Sequence, residues 1–146
     1  MQIRHSAPLL NVHDMELSLE FYCGFLGFSV YEDYELDGDV LWAAIYSGEA
    51  RLMLSMQDKD GSAERNKREN YADLVLYLYV DDATEAHREL SAKGLAPTEI
   101  EQEDVGLKEF YLRDPDGYEI GIGSPVPPWA HPPDHPIQEE GLEDVE

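Results

Sequence analysis

The sequence predicts an α+β fold built from two copies of one β-α-β-β-β unit, and two observations carry that reading. Leu10-Asn11-Val12-His13-Asp14 recurs 68 residues later as Leu78-Tyr79-Val80-Asp81-Asp82. Each is followed by an amphipathic stretch and then a glycine, Gly27 in one copy and Gly94 in the other. The same offset of 68 separates Leu52-Met53-Leu54 from Ile120-Gly121-Ile122, the short apolar runs that close each copy. A fixed internal period marks a repeated structural unit. Two such units must pair to bury a face that neither buries alone.

The elements follow in order. Residues 5–12 alternate and run apolar, which predicts a first strand. Asp14 stands where a helix N-cap belongs, with its side chain placed to accept a first-turn amide. Leu17, Phe21, Phe25 and Leu26 form a helical stripe expected to face the core, and Gly27 ends the helix. Residues 28–36, 40–47 and 51–56 read as three strands, with Gly38 and Gly48 at the turns. Residues 57–69 are polar and hold four of the ten Lys and Arg, as a linker between units would. Asp58-Lys59-Asp60-Gly61 resembles the start of a calcium loop, but its glycine comes too early and no suitably spaced glutamate follows.

The second unit opens with a strand over 73–80. Asp82 caps a helix over 83–93, and Gly94 stops it. Strands over 98–102, 107–113 and 118–123 complete the copy. Asp114-Pro115-Asp116-Gly117 is a tight turn by composition. Six of the nine prolines lie between Pro125 and Pro136, which predicts an extended tail. The division is therefore a first module over 1–56, a linker over 57–71, a second module over 72–124 and a Pro-rich acidic tail over 125–146.

Ten Lys and Arg stand against 32 Asp and Glu, a formal charge of −22 over 146 residues. Six of the acids lie beyond Gly123 with no Lys or Arg among them, which leaves about −16 on the rest. Phosphate contact needs a basic face, so a nucleic-acid partner is excluded. The acidity fits solubility or a high-salt host, a cationic ligand or partner, or a surface without special role. No apolar run approaches 18 residues, so no membrane span is expected. The N-terminus lacks the apolar core of a signal peptide. Cys23 is the sole cysteine, which fits a reducing cytoplasm, and it reads as a small buried helix residue rather than a reactive thiol.

Val12-His13-Asp14, Ser18, Phe21-Tyr22 and Leu26-Gly27-Phe28, together with Asp114-Pro115-Asp116-Gly117-Tyr118, carry a family resemblance. Over roughly residues 5–124 the chain resembles the glyoxalase, bleomycin-resistance and extradiol-dioxygenase group, the vicinal oxygen chelate superfamily. The resemblance implies a mixed sheet, curved around a cavity by two βαβββ modules, and a homodimer. It also implies, for the family's enzymes, a divalent metal held on the first and last strands of each module, acting as a Lewis acid. Carried over by motif, those ligand positions fall on Ala7 and Val75 of the first strands and on Met53 and Gly121 of the last. None offers oxygen or imidazole, and the thioether of Met53 suits only a soft metal.

Two residues before each of those positions stand His5, Arg51, Asp73 and Glu119. A two-residue step along a strand keeps the same face. They are expected either to form an ion-paired cavity rim, with Arg51 neutralising the acids, or to supply a displaced metal site from His5, Asp73 and Glu119. Tyr77 and Tyr79 share the face of Val75, and Trp42, Ala44 and Tyr46 alternate on another strand. They serve either as an aromatic lining suited to a cationic organic ligand or as ordinary sheet core. The faces of Phe110 and Tyr111 are left open by the pattern. His131-Pro132-Pro133-Asp134-His135 reads as a surface segment, with Trp129 free to dock on the domain or a partner subunit. No phosphate loop, nucleophile elbow or zinc-finger spacing occurs.

Three functions are open to such a chain. The first is a protein that binds or sequesters a small molecule, cationic or otherwise, with no metal or other cofactor, like the bleomycin-resistance members. The second is a lyase or dioxygenase using the displaced site. The third is a structural or regulatory subunit that has kept the fold and lost the pocket.

Overall fold

Asp14 and Asp82 start the two helices in the same way. Both are extended (φ −141°, ψ 105° and φ −145°, ψ 103°), and each side-chain Oδ1 accepts an amide three residues on, from Leu17 and Glu85, at 3.1 Å. That satisfies one orphan donor at each helix start. In the computed structural model, which describes residues 1–56, 74–103 and 106–131, α1 spans Met15–Leu19 and widens into a π-helical turn at Glu20–Phe25. The second helix, α2, spans Ala83–Ala92. Gly27 and Gly94 follow with φ of 84° and 92°, left-handed values that favour glycine at a helix end.

The first module contributes β1 (Leu9–Asn11), β2 (Ser29–Leu36), β3 (Asp39–Ser47) and β4 (Ala50–Ser55), in the sheet order β1-β4-β3-β2. The second contributes β5 (Val75–Tyr79), β6 (Glu101–Gln102), β7 (Lys108–Arg113) and β8 (Glu119–Ser124), in the order β5-β8-β7-β6. First and last strands run parallel in each sheet, with Leu9 opposite Met53 and Tyr77 opposite Gly121. Both registers carry the offset of 68 seen in the sequence. Among the described residues no ladder joins the two four-stranded sheets. No helix among them is long and apolar enough to cross a membrane.

Alternation decides which face each sheet turns inward. Leu10, Ala43, Ile45, Leu52 and Leu54 from the first sheet are buried with Leu76, Phe110, Leu112, Ile120 and Ile122 from the second. Phe21 and Tyr22 of α1 and Leu90 of α2 join them in one cluster. One core therefore serves both modules.

Three expectations change. Leu17 is exposed, and Met15, Ser18, Phe21 and Tyr22 face inward instead. Met15, Ser18 and Tyr22 stand three and four residues apart, an ordinary helical face turned away from Leu17; beyond it the helix widens, with the Leu26 amide reaching back five residues to the Phe21 carbonyl at 3.0 Å. The first strand contracts from 5–12 to Leu9–Asn11, because Pro8 has no amide to donate and contributes only its carbonyl, to Met53 at 2.8 Å. The strand expected over 98–102 contracts to Glu101–Gln102. There Thr98 meets β7 at one residue, its amide donating to the Tyr111 carbonyl and its Oγ1 accepting the Tyr111 amide, each at 2.8 Å. The linker over 57–71, Asp73 and residues 132–146 of the tail lie outside the described residues.

The Asp114-Pro115-Asp116-Gly117 turn forms as expected, and it also joins the modules. Tyr22 of α1 donates its hydroxyl to Asp114 Oδ2 at 2.7 Å, while Oδ1 accepts the amides of Asp116 and Tyr118 at 2.9 Å each. His13 donates its amide to Asp116 Oδ1 at 3.0 Å, and its ring Nδ1 lies 2.7 Å from the same oxygen. Burial pushes the Asp114 carboxyl above the usual carboxylate range, against the pull of the three donors. Tyr22→Phe is expected to lower stability by about 1–2 kcal/mol in urea titration, since it removes a donor from a buried carboxylate. An unchanged midpoint would show that this bond does not hold the modules.

Candidate functional site

Each helix covers one face of its sheet, so each module leaves the other face open. On the first sheet that face forms a groove of about 750 Å³. His5 and Ala7 come from the N-terminal segment, Tyr31 from β2, Ala44 and Tyr46 from β3, and Arg51 and Met53 from β4. Arg51 is held in place by the turn beside it. Its Nη1 donates to the carbonyls of Gly48 at 2.6 Å and Ala50 at 2.9 Å, and its guanidinium lies 5.4 Å from the centre of the Tyr46 ring. Instead of the expected ion pair with carboxylates, Arg51 thus has carbonyl and aromatic partners. Trp42 shares the face of Ala44 and Tyr46 and is half-buried opposite Ser55, outside the groove lining.

The open face of the second sheet is a small grid. Tyr77, Gly121 and Tyr111 lie side by side across β5, β8 and β7, with Tyr79, Gly123 and Glu109 in the next row. The row on the other side is Val75, Glu119 and Arg113. Glycines in the central strand leave room for rings to lie down from the flanks. A Cβ at Gly121 would stand 2.8 Å from Tyr77 Cδ1 and Cε1 and 3.1 Å from Tyr111 Cε1. Tyr77 OH and Tyr111 OH are 3.0 Å apart, and Tyr111 OH donates to Glu109 Oε1 at 3.2 Å. Tyr77 beside it, with burial and the Glu109 carboxylate, raises the Tyr111 phenol. Burial pushes the Glu109 carboxyl up, and Glu103 and Glu101 add to the rise against the Tyr111 bond.

The predicted site residues therefore divide between two surfaces. His5, Ala7, Arg51 and Met53 share the first groove, while Val75, Tyr77, Tyr79 and Gly121 share the second sheet. Glu119 lines a third hollow with Thr98, Tyr111 and Arg113, away from His5. Asp73 lies outside the described residues, so the displaced site rests on His5 and Glu119, which line different hollows. Glu109, Tyr111 and Trp129 are additions to the expected set. Alternation along β7 carries the signal for the first two, since Phe110 and Leu112 are buried between them and Arg113.

The implied metal can be tested against these side chains. Ala7, Val75, Met53 and Gly121 present a methyl, an isopropyl, a thioether and a hydrogen, and they do not share one hollow. The Tyr77 ring occupies the space a glutamate at position 121 would need. Among the described residues no group of three His, Cys, Asp or Glu could hold a metal ion. The residues present do not fit the family's divalent centre.

Residues 2–122 match the model of the Glyoxalase/Bleomycin resistance protein/Dioxygenase superfamily. The chain belongs to that superfamily. None of the curated proteins compared with it matches. Among solved structures, UcmS2 is 20% identical with a TM-score of 0.70, over 84% of this chain and 98% of that one. TnmS3, described as an antibiotic binding protein from Streptomyces sp. CB03234, is 23% identical with a TM-score of 0.63, over 86% and 98%. A lactoylglutathione lyase from Agrobacterium tumefaciens is 18% identical with a TM-score of 0.60, over 84% and 94%. At these identities the likeness establishes the fold, which this superfamily member shares with a binder and a lyase alike.

The Gly121 contact yields a direct prediction. Gly121→Ala should displace the Tyr77 ring, break its bond to Tyr111 and cost about 1 kcal/mol or more in urea titration. In a Tyr77→Ala background the same change should cost clearly less, because only the 3.1 Å approach to Tyr111 remains. Equal costs in both backgrounds would show that Tyr77 does not occupy the ligand position.

Proposed function

We propose that this protein binds or sequesters a small organic molecule without a metal, and that the ligand lies in the groove of the first sheet. The observation that carries the reading is the groove itself. Its 750 Å³ falls in the range of ordinary ligand sites, and its walls are mostly apolar and aromatic. Its ionisable side chains are His5, Arg51 and the tyrosines Tyr31 and Tyr46, with no carboxylate among the lining residues. That composition holds a molecule well and offers little to cleave or rearrange it. The absence of oxygen and imidazole donors at Ala7, Val75, Met53 and Gly121 separates this chain from the metal-dependent lyases and dioxygenases of its superfamily. The description of TnmS3 as an antibiotic binding protein supports a similar role here.

The formal charge of −22 favours the approach of a cationic ligand over long range. Within the groove, Arg51 is the local charge, so the apolar part of a ligand fits there better than its cationic part. The single, half-buried Cys23, whose thiol burial pushes up, suits a reducing compartment, and we assign the protein to the cytoplasm.

A homodimer is part of the same reading. Strand β2 forms one edge of the first sheet, and all eight of its residues are exposed, among them Val30, Tyr31, Tyr34 and Leu36. An exposed apolar edge strand of this length favours pairing with a second chain. Light scattering should read twice the 16.6 kDa chain mass, and Tyr34→Asp should shift it toward the single mass. A wild-type reading of one chain would remove the dimer.

A thermal-shift screen of apolar and aromatic small molecules, with and without EDTA, tests the binding function. A ligand at about 100 times its Kd should raise the midpoint by roughly 5–10 °C, equally with chelator. Ala44→Phe, which fills the groove floor, should abolish that shift. A shift lost in EDTA, or one that survives Ala44→Phe, would contradict the proposal.

A further inference from the structure

A second hollow, of about 260 Å³, lies beside α1 on the helix-bearing side of the first module. It shares no lining residue with the groove. Met15 and Leu19 of α1, Val40 and Leu41 of β3, and Met56 just past β4 give it an apolar floor. Asp14, Glu16 and Asp39 stand around that floor, and no Lys or Arg lines it.

His13 lines the same hollow with its ring held from behind. Its Nδ1 lies 2.7 Å from Asp116 Oδ1, the oxygen that also accepts the His13 amide at 3.0 Å. That carboxylate is 1% exposed, while the imidazole is 24% exposed. An ionised carboxylate only accepts, so the neutral ring carries its proton on Nδ1 and keeps Nε2 as an acceptor. Among the described residues nothing donates to Nε2. The side chains of the hollow therefore offer acceptors and negative charge around an apolar floor. Arginine is their complement: a permanent cation with five planar donors, carried on an apolar stem. Lysine matches the charge, but its compact ammonium is more strongly hydrated and has no fork of donors.

We propose that this hollow receives an arginine side chain from a basic segment of a partner protein. The stem packs on Met15, Leu19 and Val40, and the guanidinium meets His13 Nε2 and the surrounding acids. The volume falls below the range of about 300–1,000 Å³ in which small molecules are usually enclosed, and it suits the end of one side chain. Leu17, 46% exposed on the same short helix, offers apolar surface to the residues flanking that arginine. The formal charge of −22 draws a basic segment in over long range and turns acidic partners away. The surface is separate from the groove of the first sheet and stands whether or not that groove holds a ligand.

The test titrates the full chain into a fluorescein-labelled Gly-Ser-Arg-Ser-Arg-Ser-Gly peptide at about 0.15 M salt and reads anisotropy. Saturable binding is expected, about tenfold tighter than that of the same peptide with citrulline in place of arginine. Glu16→Lys should weaken it about fivefold, while Glu99→Lys, the same charge change in the loop before β6, should weaken it less than about twofold. His13→Phe should weaken it several-fold, and Glu16→Lys suffices if that variant does not fold. N-acetylarginine amide, the same guanidinium without a flanking chain, should compete only at concentrations about tenfold higher or more. No saturable binding, equal affinity for the citrulline peptide, or equal losses in Glu16→Lys and Glu99→Lys would each overturn the proposal. Competition by N-acetylarginine amide at the peptide's own affinity would assign the hollow to a small guanidinium compound and overturn the protein partner.

Discussion

The buried carboxylate of Asp114 is the interaction on which the arrangement of the two modules depends. It sits at the turn between the last two strands of the second module and takes the Tyr22 hydroxyl from the first helix. Taking a carboxylate out of water is costly, and of the three donors that offset the cost two are amides of its own turn, while the Tyr22 hydroxyl is in reach only with both modules in place. Its neighbour Asp116 holds His13 at the start of the same helix. Together they draw the helix-bearing sides of the modules into one core. The faces away from the helices are left open, and both candidate surfaces lie on them.

What those open faces carry differs from the divalent-metal pattern that the superfamily resemblance implies. The βαβββ repeat places two first-strand and two last-strand positions where a metal could be held. Here the repeat and its register are kept, and the donors are gone. At Gly121 the exchange is specific, because losing the side chain lets Tyr77 lie over the central strand and reach Tyr111. The same pattern that removes a metal ligand thus creates an aromatic surface with a carboxylate behind it. Fold and chemistry have separated, as a scaffold that hosts many sites allows.

Much of the fold was legible from local signals. The two N-cap aspartates, the closing glycines and the offset of 68 stated the repeat before any contact was known, and the parallel registers reproduce it. The face of Tyr77 and Tyr79 followed from alternation alone. Other features were hidden because they depend on geometry that spacing does not encode. The buried stripe runs through Met15, Ser18 and Tyr22 rather than Leu17, and the polar Ser18 in its middle hid that face from a count of apolar residues. The bond between His13 and Asp116 spans 103 positions and has no local signature. The separation of His5 from Glu119 depends on how the two sheets are placed, which the repeat leaves undetermined. Arg51 was expected to meet carboxylates, yet the carbonyls of its own turn were nearer.

The most direct test of the central claim is elemental analysis of the protein purified without chelators or a polyhistidine tag. The account predicts iron, manganese, nickel and zinc far below one equivalent per chain, with ligand binding intact. Near-stoichiometric metal, lost on replacing His5 and Glu119 by alanine while the fold persists, would contradict it and return the chain to the metal-dependent enzymes of its superfamily.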